Sequence, residues 1–423
     1  MTVRQTDVVV IGGGQAGLAA SFCLTEQSRA HVVLEQGRIA ESWRTRRWDS
    51  LRLVGPNRTL ELPGFPYAGG DPDGFMGKDE VAAHLDAYAR SFGAPLREGV
   101  RVTAVEPNPH GAGFLVRTDN GTHAATQVVV ATGALQKPFI PGLAADLPAH
   151  VAQVVPYAYR NPAALPPGAV LMVGSGQAGC QIAEELRRAG RPVYVSVGRS
   201  WWAPRRYRGR DISLWLRDIG WFDRTVDGLP PGARAGLPNP QFTGSGGGRD
   251  LNVHTLAAEG VVLLGRLQGI QNGKLTFAPD LTQTLAWGDE QAASRLQSID
   301  EHIRERGLDA PPADPPNYLR PVAELARESP MALDLAEAGI TTVIWATGYR
   351  PDLSWVHLPV LDVAGYPVQR RGITATPGLY ILGLDWLHSA KSGLFAGIAE
   401  DAAYLAAVIA ARAPTARSHS VRC

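Results

Sequence analysis

The chain has 423 residues, of which 45% are hydrophobic and 19% are charged, and its formal net charge is +1. This is the composition of a globular protein, which excludes a largely disordered chain, and the length predicts about two or three domains. The balanced charge gives no long-range field that would attract nucleic acid or an anionic membrane surface.

Cysteine content and the length of apolar runs indicate the compartment. Cys23, Cys180 and Cys423 are far apart and form no CxxC pair, which argues against a structural zinc site and against a dithiol redox centre. An odd number of cysteines without a secretion signal fits a reducing compartment. No apolar run approaches the roughly 20 residues of a membrane span. We therefore expect a cytoplasmic protein.

The first predicted elements are a strand, a glycine-rich turn and a helix. Residues 7–11 are mostly β-branched, as in a strand buried on both faces, and a second strand at 30–34 ends at Glu35. In the GxGxxG pattern of a dinucleotide-binding unit, Gly12 allows the tight turn, Gly14 lets the backbone approach a pyrophosphate, and Gly17 lets helix pack on strand. Glu35 can accept hydrogen bonds from ribose hydroxyls. The cofactor ligands predicted in this turn are Gly12, Gly14, Gln15, Ala16 and Gly17.

A second copy of the same unit begins at residue 169. No acid ends its second strand, at 193–197, and Arg199 and Ser200 follow instead. Because a carboxylate would repel a 2′-phosphate and an arginine would bind it, this unit is predicted to bind NADP(H), with Arg199 and Ser200 as ligands. The later arginines 205, 206, 208 and 210 are either further phosphate ligands or a solvated basic loop. The ligands predicted in the second turn are Gly174, Ser175, Gly176, Gln177, Ala178 and Gly179.

Two further strands end in the same tripeptide, Ala-Thr-Gly. Small residues there suit a chain that crosses between domains close to a cofactor. Two nucleotide sites of different specificity predict a flavoprotein in which NADPH passes a hydride to FAD. The predicted ligands at the two strand ends are Ala131, Thr132, Gly133, Ala346, Thr347 and Gly348.

These units predict an α/β fold with two Rossmann-like dinucleotide-binding domains, the second inserted in the first. Residues 1–165 are expected to form the first part of the FAD-binding domain and residues 341–423 its C-terminal part. Residues 168–340 are expected to form the NADPH-binding domain, with additional structure inserted within 201–330 because that segment is too long for a bare connection. A helix is expected at about 283–306 and a flexible loop at 244–248.

Longer stretches of the chain resemble the flavin-containing monooxygenase superfamily. The resemblance extends over nearly the whole chain and includes a group of bacterial stand-alone flavoproteins similar to the plant indole-pyruvate monooxygenases. The stretches that carry it are GGGQAGL at 12–18, RWDSLRLVGPNRTLELPGFPY at 47–67, VVVATGALQKPFIPG at 128–142, YRNPAALPPGAVLMVGSGQAGCQIAEEL at 159–186, WATGYRPD at 345–352 and GLYILGLDWLHSAKSGLFAGIAEDA at 378–402.

The resemblance implies an NADPH-dependent FAD monooxygenase. Such an enzyme transfers one oxygen atom of O2, through a C4a-(hydro)peroxyflavin, to a small organic metabolite by N-, S- or ketone oxygenation. The implied partners are the small-molecule substrate and O2, without nucleic acid or membrane, and the oligomeric state stays open, a homo-oligomer included. By match to the family's motifs, the further residues beside FAD are Ser42, Trp43, Leu51, Arg52, Gly383, Ser392, Gly393 and Leu394.

Two positions depart from the family's motifs. Counting back from Tyr159, Val155 stands where the family usually has a histidine, and Val54 stands where an asparagine precedes the proline matched by Pro56. Neither valine can hydrogen-bond to a peroxyflavin or to NADP+. The alternatives are an oxidase, dehydrogenase or reductase with the same cofactors and no oxygen insertion, or a flavin-bearing redox sensor.

Residues elsewhere could rebuild the catalytic site. His388 is either a proton donor or substrate ligand, or a structural histidine, while Tyr159 and Asn57 are further catalytic candidates. No cluster of histidine, cysteine and aspartate predicts a metal site. The aromatic residues that either line a substrate pocket or simply pack are Trp201, Trp202 and Trp386.

Overall fold

A computed structural model describes residues 3–229, 240–314, 316 and 318–412 of the chain. Cys423 lies outside the described residues, as do residues 315 and 317 of the proline-rich stretch 311–321. Two sheets form the framework, and each contains one of the glycine-rich turns. Within the described ranges, no helix combines the length and the apolar character needed to cross a membrane.

The first sheet has nine strands and a central parallel group. Val9 lies between Val32 and Val128 of the neighbouring strands, and all three side chains are buried. Full burial on both faces explains why these strands are continuous apolar runs rather than alternating ones. In spatial order the strands are Gln369–Arg370, Ile373–Thr374, Leu379–Ile381, Gly121–Val130, Val3–Ile11, His31–Leu34 and Leu96–Arg97, with Val102–Pro107 and Phe114–Thr118 attached beside Gly121–Val130.

Helices of amphipathic or wholly apolar sequence cover the first sheet. Leu18, Val81 and Ile398, one from each of three helices, are fully buried in the same core as the central strands. The chain therefore builds this layer from its beginning and its end, which agrees with a domain interrupted by a second one. The three helices are Gln15–Glu26, Lys78–Ser91 and Phe395–Ala411.

The second sheet has five strands, all parallel to their neighbours. It includes Ala152–Val154, which was expected in the first part of the FAD-binding domain. It also includes Ile340–Trp345, which crosses the boundary expected between residues 340 and 341. In spatial order the strands are Ala152–Val154, Ile340–Trp345, Ala169–Val173, Val193–Ser196 and Val262–Leu264. The helices on its faces and flanks are Gln177–Arg188, Val253–Ala258, Leu281–Arg306 and Val322–Arg327.

The chain passes between the two sheets twice, and the two passages lie side by side. Lys137–Pro138 pairs antiparallel with Tyr349–Arg350, and the Phe139 N–H donates to the Gly348 carbonyl at 2.9 Å. Both passages directly follow an Ala-Thr-Gly strand end. The tripeptides thus mark the points at which the chain leaves each sheet for the other.

Additional structure follows the strand Val193–Ser196. The helix expected at 283–306 is Leu281–Arg306, and the loop expected at 244–248 contains the short 3-10 turn Ser245–Gly247. A three-stranded antiparallel sheet joins Leu267–Gln271, Lys274–Phe277 and Ala332–Asp334. The remaining short elements are Glu41–Thr45, Asn57–Thr59, Glu61–Leu62, Phe65–Pro66, Gly142–Asp146, Pro162–Ala164, Arg206–Tyr207, Arg210–Asp211, Ile212–Asp218, Trp221–Asp223 and Val226–Gly228.

Candidate active site

The first glycine-rich turn has three glycines with three different local requirements. Gly12 has φ +114°, and a Cβ there would lie 2.6 Å from the Ala131 carbonyl oxygen. A Cβ on Gly17 would lie 1.8 Å from the Gly12 carbonyl oxygen, so the helix could not pack on the strand. A Cβ on Gly14 would meet no atom within 4 Å. The middle glycine is therefore unnecessary for packing and faces open space, as a pyrophosphate cradle requires.

The second turn repeats this geometry. Gly174 has φ +105° and would place a Cβ 2.5 Å from the Ala346 carbonyl oxygen, and Gly179 would place one 2.1 Å from the Gly174 carbonyl oxygen. Gly176, like Gly14, faces open space. Each predicted Ala-Thr-Gly end is therefore the surface against which the first glycine of a turn packs.

Both turns leave backbone donors for an anion. In the described part of the chain, the N–H groups of residues 14–16 and 176–178 donate no hydrogen bond, because they precede or begin a helix. Such donors, with the positive end of the helix dipole behind them, fit the pyrophosphate of a dinucleotide. The side chains of Gln15 and Gln177 point elsewhere: Gln15 Nε2 donates to the Gly393 carbonyl at 2.5 Å, and Gln177 bonds to the backbone of Phe242.

Glu35 ends the second strand of the first unit, as predicted. Its two carboxylate oxygens accept from the N–H groups of Gly13, at 2.6 Å, and Gly37, at 2.8 Å. Each oxygen keeps further acceptor capacity, so the carboxylate is held in place and can still receive a ribose hydroxyl.

In the second unit Val197 stands where Glu35 stands in the first, and Arg199 follows two residues later. Arg199 is exposed, and its guanidinium carbon lies 5.4 Å from the ring centre of Trp287. Among the described residues no carboxylate lies within 4 Å of Arg199. Ser200 is instead buried, and its hydroxyl bonds to Ser175 at 3.1 Å and to Gln241 at 2.7 Å. The structure thus leaves Arg199 free for a phosphate and uses the Ser200 side chain internally.

Three of the four later arginines have carboxylate partners. Arg205 is only 2% exposed and pairs with Asp211, while Arg208 pairs with Asp300 at 2.6 Å and Arg210 with Asp218 at 2.5 Å. The interpretation of this whole run as a phosphate clamp is therefore wrong for these three. Arg205 has a structural role, since it also donates to the Val54 carbonyl at 2.6 Å and so joins the insertion to the first domain.

Residues 382–394 form a loop, the flavin-side loop, that contains the predicted FAD neighbours Ser392, Gly393 and Leu394. The side chain of Ser392 holds this loop together. Its hydroxyl accepts from the N–H groups of His388 and Ser389, both at 3.1 Å, and donates to Asp401 at 2.6 Å. Burial raises the pKa of Asp401. Gly393 follows with φ +84°, and Leu394 precedes the helix Phe395–Ala411. The loop therefore offers backbone groups at a helix start, whereas the Ser392 side chain is occupied.

Asp385 is a candidate that the sequence analysis missed. A Cβ on Gly393 would lie 3.1 Å from its carboxylate, and the carboxylate makes no hydrogen bond to any described residue. The side chain is exposed, yet surrounding protein displaces enough water to raise its pKa. The available signal was its position: it follows the strand Leu379–Ile381, which pairs with Val128–Val130, so it lies at the carboxyl edge where ligands bind. Gly383, just before it, approaches the first turn, since its Cβ would lie 2.5 Å from that of Ala16.

The four predicted FAD neighbours between residues 42 and 52 separate into two pairs. Ser42 is exposed, and the ring of Trp43 lies 6.2 Å from that of Phe395, beside the flavin-side loop. Leu51 packs instead on the core of the second sheet, and Arg52 donates to the Phe75 carbonyl at 2.8 Å. The structure brings the first pair to the glycine turn, through the Ala40 N–H that donates to the Gly13 carbonyl.

Two catalytic candidates have structural roles. Asn57 is 4% exposed, and its amide donates to the Asp71 carbonyl at 2.9 Å and accepts from the Met76 N–H at 2.8 Å. The Tyr159 hydroxyl donates to Glu185 at 2.9 Å, and burial, with the negative charge of Glu185, raises its pKa. Neither side chain has a free functional group, so the structure favours a positioning role over a catalytic one for both.

The two valines at departing positions are apolar packing residues. Val155 lines a cavity of about 290 Å³ at the interdomain passages, together with Tyr159 and Trp345. Val54 packs on a cluster of aromatic residues in the insertion that includes Trp201. The structure therefore places apolar side chains, and no hydrogen-bonding group, at both positions.

The predicted aromatic residues differ in their surroundings. Trp201 and Trp202 are 3% and 5% exposed, and the Trp202 indole N–H donates to Asp289 at 2.8 Å, so both serve packing. Trp386 has a left-handed backbone, φ +53°, which is rare for a bulky residue and is typical of functional loops. His388 is partly exposed two residues later, and its carbonyl accepts from the Val226 N–H at 2.9 Å.

The insertion covers this loop by main-chain pairing. The N–H of Ala390 donates to the Arg224 carbonyl at 3.0 Å, and that of Lys391 donates to the Phe222 carbonyl at 3.2 Å. Residues 222–226 therefore cover one side of residues 388–391. The candidate site therefore lies where the first turn meets the flavin-side loop, through Gln15 and Gly393, and where the insertion covers that loop.

The described residues provide neither a reactive thiol nor a group of metal ligands. Cys23 and Cys180 are buried, one in each of the two cores, and burial raises the pKa of Cys23 to about 11 and also that of Cys180. Thiols with raised pKa values are poor nucleophiles. Across the described ranges, no three His, Cys, Asp or Glu side chains are grouped so as to hold a metal ion.

Comparisons with known proteins give the chain its relatives. Residues 9–220 match the family described as pyridine nucleotide-disulphide oxidoreductase. The chain is 34% identical to an uncharacterized CzcO-like oxidoreductase of Geobacillus kaustophilus, over 94% of this chain and 97% of that protein. It is 32% identical to the indole-3-pyruvate monooxygenase YUCCA1 of Oryza sativa, over 43% of this chain and 45% of that protein.

A solved structure confirms the predicted fold. The flavin-containing monooxygenase of Stenotrophomonas maltophilia superposes with a TM-score of 0.65 and 21% identity, covering 96% of this chain and 99% of the other. At this identity the likeness speaks for the fold, which is the predicted α/β architecture with two Rossmann-like domains.

Proposed function

Because the chain belongs to the pyridine nucleotide-disulphide oxidoreductase family, as a flavin-monooxygenase-like member, we propose that it is an NADPH-dependent monooxygenase. It would transfer one oxygen atom from O2 to a small organic substrate by N-, S- or ketone oxygenation. Family membership confirms the predicted oxidoreductase class and the predicted cofactors, FAD and NADP(H). The substrate, the oxygen transfer and the site residues are the proposal.

One observation carries the proposal. The two glycine-rich turns have the same geometry, but the second strand of each unit is followed by a different charged side chain. Gly14 and Gly176 both face open space beside free backbone donors, yet the first unit ends at Glu35 and the second at Arg199. A carboxylate suits ribose hydroxyls, and an unpaired arginine suits a 2′-phosphate. The chain is thereby equipped for two different dinucleotides.

The first cradle fits FAD. The N–H groups of residues 14–16 would bind the pyrophosphate and Glu35 the ribose, while Asp385 would accept from the ribityl chain. Backbone groups at 393–394, at a helix start, would face the ring and favour negative charge on it. When bound, FAD supplies the redox chemistry, since it accepts a hydride from NADPH and passes electrons to O2.

The insertion would exclude water from the site. Main-chain pairing of residues 222–226 with 388–391 and the aromatic residues behind it close one side of the site. Exclusion matters because water at the reacting centre diverts reduced oxygen to H2O2. His388, in the loop that the insertion covers, is the remaining candidate for a proton donor.

The proposal is tested by separating reduction from oxygen chemistry. The purified holoenzyme is reduced anaerobically with NADPH, mixed with air-saturated buffer, and supplied with a panel of amines, thioethers and ketones. We expect an oxygenated product that carries ¹⁸O when ¹⁸O2 is used. Stoichiometric H2O2 with every compound would contradict oxygen transfer.

A second function is favoured by one specific feature. Val155 and Val54 are apolar where the family's motifs carry hydrogen-bonding side chains. An oxidase or reductase with the same cofactors needs no such groups, and H2O2 or a reduced organic product would identify it. A redox sensor would instead show turnover far below the roughly 1–1,000 per second of ordinary enzymes. The cytoplasmic location and any homo-oligomer stay predictions.

A further inference from the structure

Two arginines of the insertion lie against one tryptophan. The guanidinium carbon of Arg224 lies 3.1 Å from the ring centre of Trp221, and that of Arg295 lies 4.1 Å from the same centre. Arg295 belongs to the helix Leu281–Arg306, whereas Arg224 follows the short turn Trp221–Asp223. The insertion thus brings two cations from distant segments against one aromatic ring.

Neither guanidinium has a counter-charge among the described residues. Over the ranges that the structure describes, no carboxylate oxygen lies within 4 Å of either group. The residues outside those ranges include no aspartate or glutamate. Arg224 donates through Nε to the Trp221 carbonyl, and Arg295 donates to Ser294 and Gln291. Arg295 Nε is buried and has no acceptor among the residues that the structure describes.

Both groups are partly withdrawn from water. Burial, and after it the positive charge of Arg295, lower the pKa of Arg224 to about 10. At neutral pH both arginines therefore stay charged. Two like charges held together at a half-buried site are unfavourable unless an anion joins them, and arginine pairs are well suited to bind a carboxylate through several hydrogen bonds.

The pair opens onto a cavity of about 480 Å³. Glu301 and Glu305 also line it, further along the helix Leu281–Arg306, but neither lies within 4 Å of the two guanidinium groups. These carboxylates would repel a doubly charged phosphate more strongly than a singly charged carboxylate. The charge pattern of the cavity therefore favours an organic monoanion.

The cavity adjoins the flavin-side loop. The backbone carbonyl of Arg224 accepts from Ala390, and its guanidinium carbon lies 5.6 Å from the ring centre of Trp386. We infer that Arg224 and Arg295 bind the carboxylate of the substrate, which is thus an organic monoanion. The anion site follows from the geometry alone, and only its assignment to the substrate rests on the proposed function.

Phenylacetate and its neutral amide, phenylacetamide, are suitable probes. Binding to the oxidised holoenzyme is measured by calorimetry and tryptophan fluorescence at constant ionic strength. We expect saturable binding of phenylacetate and none of phenylacetamide. Arg295→Gln and Arg224→Gln should each weaken phenylacetate binding by about tenfold or more, since each removes charged hydrogen bonds. Arg304→Gln, an exposed arginine on the same helix, is the matched control and should have no effect.

Three results with phenylacetate would overturn the inference, and a fourth concerns NADPH. The three are equal binding of acid and amide, no saturable binding to the wild-type holoenzyme, and unchanged affinity in both variants that retain the wild-type melting temperature. A variant that loses affinity for NADPH but not for phenylacetate would assign the pair to the coenzyme's phosphate and would also contradict it. Because these measurements need no turnover, an absence of oxygenated product would refute the proposed function and leave the anion site standing.

Discussion

The two glycine-rich turns solve the same backbone problem and are supported in different ways. In both, the first glycine packs on an Ala-Thr-Gly carbonyl and the middle glycine faces open space. The first turn is joined through Gln15 to a loop held by the buried Ser392–Asp401 pair, whereas the second is joined through a neutral network of Ser175, Ser200 and Gln241. The comparison teaches that backbone geometry provides for a dinucleotide, and that the side chains after the second strand decide which one.

The largest effect is expected from filling one cradle at a time. Gly14→Val should leave the fold intact, because its Cβ meets no atom, and should abolish FAD retention, because the side chain would occupy the place of the pyrophosphate. Gly176→Val is the matched control: it should purify yellow and fail to be reduced by NADPH. Absorbance at 450 nm and circular dichroism measure both. A yellow Gly14→Val protein would end the assignment of this cradle to FAD.

A smaller effect is expected at the end of the second unit. Arg199→Ala should raise the KM for NADPH by about ten- to a hundredfold, since it removes charged hydrogen bonds to a phosphate, and should leave the KM for NADH nearly unchanged. Arg210→Ala, a neighbouring arginine that is paired with Asp218, serves as the control. Equal changes for both coenzymes would mean that the 2′-phosphate binds elsewhere.

The corresponding change in the first unit should be milder. Glu35→Gln keeps one acceptor oxygen but loses the charge that holds Gly13, Gly37 and the ribose together. We expect FAD affinity to fall by about tenfold, from the loss of one charged hydrogen bond, with no change in coenzyme preference. Equilibrium titration of apoprotein with FAD measures this. If NADPH preference changed instead, the two units would have been assigned in the wrong order.

The smallest effect concerns Asp401, the buried residue that holds Ser392 beside the first turn. Burial raises the pKa of Asp401, so the folded state holds its proton more tightly than the unfolded state. Stability is therefore favoured at low pH and falls as the pH rises from about 4 through the raised pKa. Asp401→Asn should remove this loss of stability, because the amide does not titrate. Urea unfolding of both proteins from pH 4 to 7 measures this. If the free energy of unfolding changed with pH equally in both proteins, the Asp401 carboxylate would not cause the loss of stability.

Local backbone requirements made the two turns predictable. Gly12 and Gly174 need a positive φ, and Gly17 and Gly179 need close approach, so spacing in the sequence reports them directly. Asp385 was not predictable in the same way, because its importance depends on which strand pairs with Gly121–Val130. Side-chain partners were equally hidden: nothing local indicates that Asn57 is used by Asp71 and Met76.

The insertion shows the same limit more strongly. Arg224 and Arg295 belong to no motif and are far apart in the chain, so only folding brings them to Trp221. The run of arginines after residue 199 is evident in the sequence. Which of them are paired depends on Asp211, Asp218 and Asp300, which only the fold brings close. Sequence identifies charges, and the fold determines which of them are neutralised.

The paired passages Lys137–Pro138 and Tyr349–Arg350 have a mechanical consequence. Because hydrogen bonds join the two passages, a displacement of one domain relative to the other would have to bend both connections together or break their pairing. The main-chain hydrogen bonds between residues 222–226 and 388–391 oppose the same displacement at a second place.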